Sequence, residues 1–414
     1  PCDGIVLEDN ADRAVRCDNH VLVIAGPGAG KTELLAQKAA YLLQTNRCKD
    51  PQKILAISFK ADAAQNLQER VETRCGIEAK HRFVSMTYDA FAKSLLDHFL
   101  YALPENLRPQ PDYQVNDDMV IDTAFKKAGY RNPYNLSPSK LKKYYNAKIE
   151  SVTLPISKND LAENVWRLLL HGFDGHKSTL TFKMITMLAD YIIKINPQIK
   201  RALQLTYSYV FLDEFQDTAG VQWMNFSPLL HNSNAQGGEN LIVGDVKQSI
   251  YRWRGSDWKL LDNRIPSEFP SHVHTVLDTN WRSLSNIVEF NNGFFEAAAE
   301  VLDKISGYKE KGPVSGIYTD VKQKVASEDS NPGSVCLTFC SKDMQLQQVL
   351  ESVYKALSAG ARLSDIAVLV RSNATGEEVA SYLIDNGIAV ITDDSLKVKG
   401  SLTVRRLVSL MSYI

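Results

Sequence analysis

A chain of 414 residues, 44% hydrophobic and 23% charged, can bury two or three cored domains and is too apolar to be a disordered tail. Its 47 basic and 48 acidic side chains leave a formal net charge of -1, so any binding of nucleic acid has to come from a local basic surface. The cysteines Cys2, Cys17, Cys48, Cys75, Cys336 and Cys340 form no C-x-x-C pair and have no histidine at ligand spacing, which reads as thiols of a reducing compartment and not as a metal site. No apolar run reaches the ~18 residues of a membrane helix, and the first residues show no leader pattern. A cytoplasmic location is expected.

In chain order, the apolar run 21–26 reads as a buried parallel strand, followed by a glycine-rich loop and the helical pattern that begins at Thr32. A second strand-like run at 53–59 and a helix over 61–75 continue a βαβ rhythm, which predicts a parallel sheet covered by helices. From about 95 to 195 helical periodicity takes over, as in Asn164 to Leu170 and Phe182 to Leu188, and predicts an inserted helical subdomain. Strand signals return at 209–213 and 240–244. A third section opens near 272 with the run 273–277 and continues through strand-like runs at 335–339 and 366–370 and a helix near 375–387. The expected organisation is α/β: a first parallel-sheet domain over 1–95 and 195–270, a helical insertion over 96–194, and part of a second domain over 271–414.

The loop Gly26-Pro27-Gly28-Ala29-Gly30-Lys31-Thr32 lies between a strand and a helix, the context of a Walker A phosphate cradle. Glycines there let backbone N–H groups converge on phosphate oxygens, and the helix adds its N-terminal dipole. Lys31 can reach the β- and γ-phosphates of ATP, and the Thr32 hydroxyl can ligate Mg²⁺. The plain alternative is a strand–helix turn without a ligand. The acidic pair Asp213-Glu214 closes an apolar strand and suits a Walker B site, with Asp213 on Mg²⁺ and Glu214 activating water. Such a pair alone as often caps a helix; together with the cradle it points to phosphoryl transfer.

Beyond this pair, Asp213 to Thr218 followed by Gln222 resembles motif II of the UvrD/Rep-type superfamily 1 DNA helicases. Val243 to Gly255 resembles that family's motif III, Thr279 to Ser283 its motif IV, Ile54 to Lys60 its motif Ia and Thr87-Tyr88 its motif Ib. The wording from Lys247 to Gly255, and Asp394-Ser395-Leu396, is more similar to RecB- and AddA-like helicase–nuclease subunits.

The resemblance implies a RecA-like P-loop fold and an ATP- and Mg²⁺-dependent DNA helicase or translocase of 3′ to 5′ polarity. Single-stranded DNA, single/double-strand junctions and repair or recombination proteins would be its partners. It implies that Gln248 contacts the γ-phosphate, that Arg282 acts as an arginine finger and that Trp281 stacks on adenine. A surface salt bridge for Arg282 and core packing for Trp281 are the plain alternatives.

Phe59, Tyr251 and Trp253 fall where the family presents aromatics to single-stranded bases, with Arg254, Thr87 and Tyr88 beside them. Core burial is the alternative for each ring. Composition adds one patch: residues 123–149 carry Lys126, Lys127, Arg131, Lys140, Lys142, Lys143 and Lys148 without Asp or Glu, interleaved with Phe125, Tyr130, Tyr134, Tyr144 and Tyr145. It reads as a DNA-binding face, centred on Lys140, Lys142 and Lys143, or as a solvated helix.

Two departures stand out. Ala11 falls where the family carries an adenine-reading glutamine, which predicts loose nucleotide specificity, and Lys60 and Asp62 occupy the places of a threonine and a lysine in motif Ia. The segment 402–414 resembles the helix before the family's second inserted subdomain, and motifs V and VI are not present in the sequence. This fragment is expected to bind nucleotide, hydrolyse it slowly and not unwind. The motor part of a RecB/AddA-like recombinational helicase–nuclease, a non-catalytic DNA-binding module and a P-loop ATPase that ignores nucleic acid are the rival readings.

Overall fold

The computed structural model describes residues 7–130, 135–157, 159–218, 240–249, 265–269, 271–305, 322–326 and 331–392, with a few single positions between them. The chain divides into two compact units, one running to Ser334 and one from Val335 onward.

The first unit is built on a six-stranded sheet in the order β3-β2-β6-β7-β1-β8. The strands are β1 (Val21–Ala25), β2 (Lys53–Ser58), β3 (Phe83–Thr87), β6 (Tyr207–Leu212), β7 (Asn240–Gly244) and β8 (Val273–Leu277), while β4 (Gln114–Val115) and β5 (Thr179–Leu180) form a separate pair. Every pairing is parallel. A parallel sheet needs both faces covered, and the alternation along β1 shows how this is met. Val21 and Val23 enter a core with α1 (Asp9–Arg16), α2 (Lys31–Gln44) and α3 (Ala61–Cys75), whereas Leu22 faces the opposite core.

That opposite core is supplied by the insertion. It joins α4 (Tyr88–His98), α5 (Asp118–Lys127), α6 (Pro138–Glu150), α7 (Leu161–His171) and α8 (Phe182–Ile195) to Leu55, Val210 and Ile242 of the sheet. Short polar caps start these helices: Asp117 accepts from the Met119 and Val120 N–H groups, Asp160 from Glu163, and Thr181 from Met184. On α7 the buried residues Val165, Trp166, Leu169 and Leu170 recur at helical spacing and turn one face inward. The helical run continues through α9 (Pro197–Thr206) to the start of β6, past the expected boundary at 194.

Two expectations are corrected here. The run 273–277, read as the opening of the second section, is β8 and pairs with β1 over its whole length, so it closes an edge of the first sheet. A parallel strand is placed by whichever neighbour accepts its ladder, and local sequence does not name that neighbour. Among the described residues the runs 335–339 and 366–370 carry no strand pairing. Their apolar side chains Leu337, Phe339 and Leu369 stand exposed, and a strand without a partner gains no ladder. Within the second unit the helices Gln345–Ser358 and Asn373–Asp385 pack through Val353, Val379 and Leu383. Among the described residues no helix is long and apolar enough to cross a membrane.

Candidate active site

Four adjacent strands, β6, β7, β1 and β8, deliver their following loops to one edge of the sheet. In parallel α/β sheets that carboxyl edge is where ligands bind. After β1 the chain turns through Gly28 (φ 75°) and Gly30 (φ 83°), both in the left-handed region that glycine adopts without strain. The Leu34 N–H then donates to the Gly30 carbonyl at 2.9 Å and starts α2 with Lys31 in its first turn.

Lys31 Nζ lies 3.2 Å from Glu214 Oε2 and donates to Gln248 Oε1 at 3.3 Å. These contacts belong to a closed ring. Gln248 Nε2 donates to Asp245 Oδ2 at 2.8 Å, the Asp245 N–H donates to Gln216 Oε1 at 2.9 Å, and Gln216 Nε2 donates to Glu214 Oε2 at 2.6 Å. Loops after β1, β6 and β7 are thereby held together through charge-assisted bonds. Lys247 Nζ adds an ion pair to Asp245 Oδ1 at 2.9 Å.

Glu214 sits at φ 49°, a left-handed conformation that is costly outside glycine and asparagine. The turn is held by the Glu214 N–H, which donates to Asp213 Oδ1 at 2.9 Å, and by the Asp213 N–H, which donates to the Ile57 carbonyl. Burial pushes the Asp213 carboxyl up to about 7, with the Glu214 charge adding to the effect and Lys31 opposing it. Asp217 is pushed up to about 6 by burial first and by Glu214 second. Its Oδ1 is buried without a hydrogen-bond partner.

Buried acids raised in this way favour a cation. No group of three or more His, Cys, Asp or Glu among the described residues forms a metal cage. Mg²⁺ needs none, since it takes one or two carboxylates and completes its shell with water and phosphate oxygens. Asp213 and Thr32 would hold it.

A raised acid stabilises the fold below its ordinary pKa and costs stability as pH rises through its folded value. For Asp213 that loss falls between its ordinary value of 3.8 and about 7. Asp213→Asn is therefore expected to raise the melting temperature of the nucleotide-free protein at pH 8, with the gain shrinking towards pH 5. Thermal melts across that range in metal-free buffer check it; a gain independent of pH would contradict the burial argument.

After β8 the segment Thr279–Asn280 (β9) pairs with Lys324–Val325 (β10). The Asn280 side-chain oxygen accepts from the N–H groups of Arg282 and Ser283, each at 2.9 Å, and bends the chain around the phosphate loop. The Trp281 N–H donates to the Gly28 carbonyl at 3.0 Å. Arg282 Cβ lies 3.0 Å from where a Cβ on Gly28 would stand. Lys31, Glu214 and Gln248 thus meet directly, and the Arg282 segment meets them through the loop backbone. Trp281 is 56% exposed, which removes core packing as its explanation.

On the nucleic-acid side the picture is mixed. Phe59 lines a cavity of about 220 Å³ with Ser58, Asp213, Glu214, Asp217 and Gln222. Thr87 and Tyr88 line it too, but Thr87 Oγ1 accepts from the Ala90 N–H as the cap of α4. Tyr88 is only 6% exposed and packs into the core from α4. Tyr251, Trp253 and Arg254 lie outside the described residues.

Lys140, Lys142 and Lys143 are exposed on α6. The aromatics interleaved with them largely turn inward. Phe125 stacks on Tyr145 at 3.8 Å between centroids, and Tyr130 on Tyr144 at 4.9 Å. Acids from outside the basic window reach several lysines: Asp118 pairs with Lys142, Asp122 with Lys126 and Asp174 with Lys127.

Gln216, Asp217, Asp245, Asn280 and Gln323 are site residues that sequence reasoning did not single out. The first four lie inside motif-like stretches and could have been flagged there. Nothing in the sequence around Gln323 marks it.

The chain is similar to known proteins over most of its length. The family model of the UvrD/REP helicase N-terminal domain matches residues 7–267, and that of the UvrD-like helicase C-terminal domain matches 275–399. The chain is 28% identical over 397 residues to the ATP-dependent DNA helicase PcrA of Bacillus subtilis, covering 90% of this chain and 48% of that protein. It is 26% identical over 388 residues to DNA helicase II of Escherichia coli, covering 91% and 50%. A probable DNA helicase II homolog of Mycoplasma capricolum is 26% identical over 398 residues, covering 92% and 51%. The chain spans about half the length of these relatives.

Proposed function

Because the chain belongs to the UvrD/Rep helicase family, we propose that it is the nucleotide-hydrolysing part of an ATP-dependent DNA helicase or translocase. The observation that carries this reading is the meeting of Lys31, Glu214 and Gln248 at the mouth of the phosphate loop, with the Arg282 segment seated on the loop's other side. Residues 1–95 and 195–270, with β8, form the first RecA-like lobe in this reading, 96–194 its helical insertion, and the remaining residues from 271 part of a second lobe.

The ring around Lys31 suggests how hydrolysis is timed. Glu214 and Gln248 hold the ammonium group of Lys31. A terminal phosphate competes for Lys31, and its arrival leaves the Glu214 carboxylate to accept a proton from the attacking water. Gln248 exchanges Lys31 for a phosphate oxygen and carries that change through Asp245 to Gln216 in the loop after β6. Thr32 and Asp213 would hold Mg²⁺, which when bound would neutralise charge on the phosphates. Arg282 meets the charge that develops on the transferred group. Ala11 is buried in the core and offers no hydrogen-bonding group, which supports weak discrimination of the base.

Single-stranded DNA is the proposed track, contacted by Phe59, the segment 251–254 and the exposed lysines of α6, with 3′ to 5′ movement and a role in repair or recombination. ATP hydrolysis measured with and without single-stranded DNA tests the reading. Stimulation by DNA is the expected result; hydrolysis at an equal rate without DNA would count against a motor.

A further inference from the structure

We propose that Gln323 is a positioning residue of the nucleotide site, fixing the phosphate loop through Pro27 and relaying its position to Arg282 through Asn280. The inference rests on the reading of this loop as a nucleotide cradle. Gln323 Nε2 donates to the Pro27 carbonyl at 2.9 Å, and its Oε1 accepts from Asn280 Nδ2 at 3.0 Å. Asn280 in turn receives the backbone N–H groups of Arg282 and Ser283. Both ends of one amide are therefore used, one on the loop and one on the turn that carries the arginine.

Gln323 is itself held in place. Asn292, on the helix Ser285–Lys304, donates from Nδ2 to the Gln323 carbonyl at 2.9 Å and accepts the Gln323 N–H at Oδ1 at 3.0 Å. This reciprocal pair fixes the backbone from which the amide projects.

The loop is shaped to receive it. A Cβ on Gly26 would stand 2.6 Å from Gln323 Nε2, and one on Gly28 would stand 2.5 Å from Asn280 Oδ1. Two of the loop's glycines thus make room for side-chain amides from behind, in addition to any need to approach phosphate. The C=O and N–H of a trans peptide point opposite ways. Binding the Pro27 carbonyl on the Gln323 side therefore turns the Gly28 N–H to the other side. Trp281 does the same at the next peptide by binding the Gly28 carbonyl.

The test is titration of the protein with a fluorescent ATP analogue in Mg²⁺, together with steady-state kinetics. Gln323→Ala is expected to weaken nucleotide binding about three- to tenfold, the worth of one hydrogen bond at a part-exposed site, and to lower turnover as Arg282 loses its relay. Gln323→Glu should weaken binding at least as much, because a carboxylate cannot donate to the Pro27 carbonyl. Gly26→Ala should be costly in the wild type, where its methyl displaces the amide. It should cost less beside Gln323→Ala, where the space is vacant, so the two penalties fail to add.

Unchanged binding and turnover in both Gln323 variants, or strictly additive penalties, would overturn the inference. A wild-type protein that binds no nucleotide would overturn the underlying reading instead.

Discussion

Replacing Lys31 by alanine is expected to lower nucleotide hydrolysis by at least ~10²–10³-fold, the usual consequence of removing one preorganised donor from a transferring group. The side chain is only 10% exposed and sits where three loops converge on its ammonium group. The variant also loses the positive charge that restrains the carboxyls of Asp213 and Asp217, both of which Lys31 holds down against burial. Those acids should rise further and bind Mg²⁺ less readily near neutral pH. Phosphate release at saturating single-stranded DNA measures the loss, and a variant hydrolysing at the wild-type rate would remove the phosphate loop from the chemistry.

Arg282→Ala is expected to have a comparable or larger effect on turnover, of the order of 10³-fold or more, with a smaller effect on nucleotide affinity. The asymmetry follows from how the residue is held. Its backbone is fixed by Asn280 and by the Trp281 bond to Gly28, so truncating the side chain leaves the segment in place. What is lost is a guanidinium whose interaction grows as charge builds on the transferred phosphoryl group. Arg282→Lys should recover only part of the rate, because an ammonium cannot present two parallel donors. Single-turnover kinetics with affinity measured separately give the split. A fall in affinity with undiminished turnover would show that Arg282 serves binding alone.

The features legible in the sequence are those set by short-range physics. Helix α3 and strand β7 appear at the residues expected of them, because an apolar run of strand length and a periodic run of helix length each carry their own signal. The phosphate loop was legible for the same reason: the conformations at Gly28 and Gly30 are local, and the glycines that permit them lie beside the lysine that uses them. Asp213 and Glu214 follow the end of β6 as expected, because an acidic pair closing a buried strand is itself a local pattern.

The tertiary structure decided everything that depends on which distant segments meet. Strand β8 joined the first sheet because β1 had a free edge to pair. The aromatics of the insertion turned inward once α5 and α6 packed face to face, and lysines in an acid-free window found Asp118, Asp122 and Asp174 outside it. Gln323 reaches a loop 296 positions earlier in the chain, a contact for which no periodicity or motif provides a clue. Sequence by itself determined a P-loop chain of the UvrD/Rep helicase family, since its motifs are written in contiguous stretches. How those stretches are held against one another was decided by chain topology, which brings non-neighbours together only when the whole sheet has formed.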